Sequence, residues 1–211
     1  MKKGLLSLGV FAVSTLLFSC IGVDSTVSFN RDGSGTMLLE YRISKMLTEM
    51  GEGDSEAPLP LSEDEMKAAI ESNPNLELKR VSQREDDQDV YITAEVGFKN
   101  IDDVTEVETF QDMPMSLEKS GGEYTYRQLI SEGQSAEEQG EQQEMDAETK
   151  AMMAQFFEGY ELSFTVKAPS TVTFHSMGEL SADRKSVSYS IPLLDMNSLT
   201  EETVLEVKWR S

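Results

Sequence analysis

Val90-Tyr91-Ile92-Thr93-Ala94-Glu95-Val96-Gly97-Phe98 carries an apolar side chain at every second position from Val90, with Tyr91, Thr93 and Glu95 between them. Successive side chains of a strand point to opposite faces, so this period puts Val90, Ile92, Ala94, Val96 and Phe98 on one covered face of a sheet. The acidic turn Glu85-Asp86-Asp87-Gln88-Asp89 joins it to a strand predicted from Leu76 to Gln83. Further upstream, Val27 and Phe29, the turn Asn30-Arg31-Asp32-Gly33-Ser34-Gly35, and then Met37, Leu39, Tyr41 and Ile43 spell a second hairpin. Sheet built from hairpins is therefore the frame into which the remaining elements must fit.

Two helices are predicted between these strands. Ser44 can cap a short one running to about Met50, after which residues 51–60 form a loop of glycine, acid and proline. Ser62 and Glu65 have capping-box spacing, Leu61 and Met66 that of a hydrophobic staple, and Met66, Ala69 and Ile70 share one face. Downstream, Asn100 is placed to cap a helix carrying Ile101, Val104, Val107 and Phe110, and a hairpin turns at Gly121-Gly122 before reaching Ile130. From Ser131 to about residue 145 the composition falls to Ser, Glu, Gln and Gly, too poor in apolar groups to offset the entropy of ordering; a disordered acidic insertion is expected. Asp146 opens a further helix with Met153, Phe156, Phe157 and Tyr160 at helical spacing, a stripe read as core. Strands then follow at Tyr160 to Val166, Val172 to Phe174, Val187 to Ile191 and Leu205 to Trp209, punctuated by Pro169 and Gly178. The expected fold is α+β: one domain over residues 20–211, mainly antiparallel sheet with several helices packed on one face.

The amino terminus reads separately. Lys2 and Lys3 precede an apolar run from Gly4 to Phe18, which is too short for a bilayer span of about 20 apolar residues and is followed by a small residue and a cysteine. Residues 1–19 are thus expected to be an export signal. Leu17-Phe18-Ser19-Cys20 resembles the lipobox of bacterial lipoproteins, which implies cleavage between Ser19 and Cys20 and a diacylglyceryl, commonly palmitate-bearing, anchor on the Cys20 sulfur. Cys20 is also the only cysteine, so no disulfide can form within the chain and lipidation would consume its one thiol. Each buried methylene contributes about 0.8 kcal/mol, and a single acyl chain holds only reversibly, so the two or three chains of a lipoprotein make a lasting attachment. The hairpin at Val27 starts so close to Cys20 that the domain is expected to sit near the membrane.

Charge narrows the partners. The chain has 18 basic and 39 acidic residues; without Lys2 and Lys3 the 16 that remain give a mature charge near −23. Nucleic acids and anionic lipid surfaces both require a positive face, so neither is an expected partner. A basic protein partner, or simply a solvated acidic surface, fits.

Motifs that carry chemistry are mostly missing. Asn30, Asp32 and Gly33 mimic the middle of a calcium loop, but Ser28 and Leu39 stand where its outer ligands belong, and a tight turn explains the pattern. Ser116-Leu117-Glu118-Lys119 has the serine–lysine spacing of penicillin-interacting enzymes without their companion motifs. His175 is the only histidine, so a two-histidine metal site is ruled out, and alternation with Val172 and Phe174 predicts that it faces solvent. The acidic turn at residues 85–89 is open to calcium binding, with a solvated hairpin tip as the simpler reading. No catalytic residue, metal ligand or cofactor is assigned, and the ligand-binding residues are left open.

One resemblance goes beyond the anchor. The turn Asp32-Gly33-Ser34-Gly35 and the late stretch from Tyr160-Glu161-Leu162-Ser163-Phe164 through Pro169, Val187-Ser188-Tyr189-Ser190-Ile191-Pro192-Leu193 and Val207-Lys208-Trp209 are similar to the LppM-type bacterial lipoprotein domain. The resemblance implies an anchored cell-envelope domain of mixed α/β fold, with lipid or glycolipid binding proposed for some members. The resulting expectation is a non-catalytic envelope lipoprotein, periplasmic or surface-exposed, that binds a partner or an apolar ligand between sheet and helices. The competing expectation is a carboxylate-dependent hydrolase of envelope glycans or lipids, which requires two acids converging in a cleft, at least one with a raised pKa. A purely structural module, with no pocket, is the third.

Overall fold

The computed structural model describes residues 21–45, 60, 62–111, 113–134, 154, 157–196 and 198–211. Eleven strands lie among them: β1 (Ile21–Phe29), β2 (Gly35–Ser44), β3 (Leu76–Glu85), β4 (Asp89–Phe98), β5 (Met115–Ser120), β6 (Glu123–Ser131), β7 (Glu161–Lys167), β8 (Val172–His175), β9 (Glu179–Leu180), β10 (Ser186–Pro192) and β11 (Thr203–Arg210). Three short helices accompany them: α1 (Glu63–Glu71), α2 (Asp102–Thr105) and α3 (Leu193–Met196), with a 3-10 turn at Glu108–Phe110.

The strands form two sheets. A seven-stranded sheet runs β3-β4-β2-β1-β7-β10-β9, and a four-stranded sheet runs β5-β6-β11-β8. All pairings are antiparallel except β1 with β7, where Val23 faces Leu162 and Val27 faces Val166 in parallel register. The expected α+β architecture, helices packed on one face of a sheet, is therefore overturned: what covers the large sheet is chiefly a second sheet. Val23, Val27, Met37, Leu39, Tyr41, Ile92, Val96 and Phe164 of the first share one core with Tyr126, Leu205, Val207 and Trp209 of the second. Phe29 stands at the junction, its ring 5.4 Å from Tyr126, 5.1 Å from Trp209 and 5.8 Å from Phe98.

Alternation could show that one face of β4 is covered but not by what. Strands buried on one face pack as readily on another sheet as on helices, because both present an apolar layer about 10 Å away. Helix α1 does join the core, through Met66 and Ile70 against β3 and β4, and its cap is the expected one: Ser62 Oγ accepts from the Glu65 amide at 3.3 Å. The helix expected from Asn100 is shorter than its periodicity suggests. It breaks after Thr105 into an extended Val107 and the 3-10 turn, although Ile101, Val104, Val107 and Phe110 are all buried. The hairpin at Gly121-Gly122 is present, both glycines at positive φ (59° and 82°). In the expected helix from Ser44 to Met50, Ser44 is still inside β2 and Lys45 is helical; residues 46–50, the acidic insertion from residue 135 on, and Met153 and Phe156 of the stripe lie outside the described residues, while Phe157 and Tyr160 are buried in a turn leading to β7.

Candidate functional site

Four polar side chains are buried among the described residues: Asn73, which donates to the Asp103 carbonyl at 2.8 Å, and Ser25, Gln128 and Asp89, which fall into two clusters. The first lies between the sheets. Ser25 on β1 is 2% exposed and Tyr41 on β2 is fully buried; among the described residues the Ser25 Oγ and the Tyr41 hydroxyl have no hydrogen-bond partner. Both line a small cavity with about 10 Å³ of free space, walled by Met37, Met113 and Met115 and reached by Gln128 of β6. Ser25 is at an inward position of β1, between Val23 and Val27, so β alternation itself carries a hydroxyl into the core. Gln128 lies beside Tyr126, whose hydroxyl donates to its Oε1 at 2.9 Å. Burial pushes the Tyr41 and Tyr126 phenols above their ordinary value, because nothing there stabilises a phenolate. The Trp209 Nε1, a third buried group without a partner among the described residues, does not belong to this lining.

The second cluster is on the outer face of the large sheet. Asp89 opens β4, pairs in register with Ser44 and is 1% exposed. Arg42 Nε donates to its Oδ2 at 2.8 Å, and the Tyr160 hydroxyl donates to Oδ1 at 2.5 Å. The guanidinium also donates to the Gly159 carbonyl at 2.8 Å and lies 4.5 Å from the Tyr160 ring centroid. Burial, with the neighbouring Asp89 carboxylate, pushes the Tyr160 phenol up to about 12. The group thus ties the start of β4 and the end of β2 to the segment entering β7, with its buried charge paired and hydrogen-bonded on both oxygens.

Where the predicted site residues fall is mixed. Cys20 and Ser19 lie outside the described residues. The Asn30–Gly35 turn is a closed Asx-type turn: Asp32 Oδ1 accepts from the Ser34 amide at 3.0 Å and its hydroxyl at 2.7 Å, which lowers the Asp32 carboxyl. In the acidic turn, Asp86 Oδ1 accepts from the Gln88 and Asp89 amides at 2.9 Å each, so only part of that run is a solvated tip. Asp89, its last member, is the buried ion-pair partner described above, a role no local signal marked because Arg42 and Tyr160 are distant in sequence. Among the described residues no group of three His, Cys, Asp or Glu side chains is arranged to hold a metal ion. Lys119 of the serine–lysine pair donates to the Tyr124 hydroxyl at 3.2 Å.

The orientation expected for β8 is reversed at its end. Val172 pairs with Trp209 but Phe174 pairs with Lys208 and His175 with Val207, a register shift that inserts one residue. Such a bulge flips every later side chain. Phe174 is therefore 47% exposed beneath the Lys208 ammonium, and His175 is half-buried on the core side, its Nδ1 3.1 Å from the Met177 carbonyl oxygen.

The acid pair a hydrolase requires is not among the described residues. Asp89 is the one buried carboxylate there, and it is neutralised by Arg42. Asp24 has a raised pKa, from partial burial first and then from Glu40 and Glu161, but it lies exposed on the outer face opposite Glu40.

No protein-family model matches the chain, and no curated protein matches it in sequence. A solved structure does: the folded domain of the Mycobacterium tuberculosis protein LppM, with a TM-score of 0.51 over 90% of each chain at 9% identity. At that identity the likeness is one of fold. It supports the LppM-type resemblance in its architecture, and among the described residues no helix is long and apolar enough to cross a membrane.

Proposed function

We propose that this protein is a non-catalytic lipoprotein of the bacterial cell envelope, held to its membrane through a lipidated Cys20, whose two-sheet domain binds an apolar ligand. The observation that carries the reading is the LppM-like fold, matched over 90% of both chains. The lipobox-like Leu17-Phe18-Ser19-Cys20 agrees with it, as does the start of β1 at Ile21, which leaves no tether between anchor and sheet. The acidic surface leaves a basic protein as the alternative partner and makes nucleic acid an unsuitable one.

The test expresses the wild type and Cys20→Ala in a bacterial host and partitions each in a phase-separating detergent. Wild type in the detergent phase and the variant in the aqueous phase is the expected result, with a lipid identified by mass spectrometry on the purified domain. Both forms in the aqueous phase would refute the anchor; an anchored protein that carries no apolar molecule would refute the ligand.

A further inference from the structure

We propose that the cavity between the sheets is a binding site for one water molecule, held by Ser25 Oγ and the Tyr41 hydroxyl as a fixed part of the core. The two hydroxyls come from neighbouring strands, β1 and β2, on the same inward face: Ser25 pairs with Leu39 and Val23 with Tyr41, so they are diagonal neighbours. Both are at least nine-tenths buried, both lack a partner among the described residues, and both belong to residues that line the same space. A buried hydroxyl with no partner is costly, and native interiors nearly always satisfy such groups with protein or with ordered water.

Size and chemistry select the occupant. The free space of about 10 Å³ matches the threshold for a single water, roughly 10–15 Å³, and is too small for an organic molecule in this conformation. The lining holds no charged side chain, so an ion would meet only neutral dipoles in an apolar wall. Water suits two hydroxyls best because each hydroxyl, and water itself, can both donate and accept. Gln128, already engaged by the Tyr126 hydroxyl through its Oε1, reaches the same cavity and supplies a further polar neighbour. The inference stands on this geometry alone and does not depend on the ligand or the anchor proposed above.

A crystal structure of the domain at better than about 2 Å tests it directly, paired with urea unfolding of Ser25→Ala and Tyr41→Phe. A single compact density peak within hydrogen-bond distance of both oxygens is expected, and both variants should unfold at lower urea than wild type because each leaves the water one partner short. A cavity without density overturns the proposal, as does an elongated density extending along the methionines, which would be a bound apolar molecule. Higher urea midpoints for the two variants also overturn it, since deleting an unpaired buried hydroxyl from a dry cavity stabilises the fold.

Discussion

Asp89→Ala would leave the Arg42 Nε and the Tyr160 hydroxyl without the acceptor they share. Arg42 is about one-third exposed, so water can take up its charge, and the cost is set by the two lost hydrogen bonds to the carboxylate, about 2 kcal/mol. The loss should appear as a lower urea midpoint, read from the emission of Trp209, the chain's single tryptophan and fully buried. Tyr160 gives the same cluster a pH signature. Its phenol is raised from 10.0 to about 12, so below pH 10 it is protonated in both states and its burial is uncontested. Between about 10 and 12 the unfolded chain releases the proton while the folded one retains it, and stability falls as pH rises. Tyr160→Phe should make the decline across that window shallower, leaving the part that the raised Tyr41 and Tyr126 phenols contribute; an unchanged alkaline slope would show that Tyr160 does not titrate there. At this scale the sequence was least legible. Nothing in Glu85-Asp86-Asp87-Gln88-Asp89 distinguishes the one acid that is buried, since its environment comes from Arg42 and Tyr160, each contributed by a remote segment.

Elements were read more securely. The two early hairpins, the late strands and α1 all carry periods or caps that are local properties, and each lies where its pattern puts it. Ser62→Ala removes the side-chain acceptor at the start of α1 and should cost about 1 kcal/mol, measured by thermal unfolding. Ser62→Asp, which restores an acceptor and favours the helix amino terminus, should recover most of it. Two failures at this scale have physical causes. The run from Ile101 to Phe110 has helical spacing, yet it serves as a short cover in which the Thr105 hydroxyl accepts from the Met115 amide at 3.0 Å, binding the segment to β5. The flipped end of β8 depends on its pairing with β11, and a bulge created between strands leaves no mark in Thr171-Val172-Thr173-Phe174-His175.

For the whole molecule, the apolar faces were legible and their partners were not. Tyr124, Tyr126, Leu205, Val207 and Trp209 alternate as clearly as Val90 to Phe98, but alternation leaves open whether such strands extend one sheet or build an opposing one. Phe29 and its contacts to Tyr126 and Trp209 decide the matter in favour of two layers.

The strand order also bears on timing. β1 is an interior strand of the large sheet, with β2 on one side and β7 on the other, and β7 begins only at Glu161. Half of its backbone donors and acceptors therefore wait for a late part of the chain, a long loop closure of the kind that slows folding. A polypeptide threaded through a membrane amino terminus first would keep its central strand unsealed until that late segment had followed. The topology thus favours a chain whose centre closes only once its late segment is available.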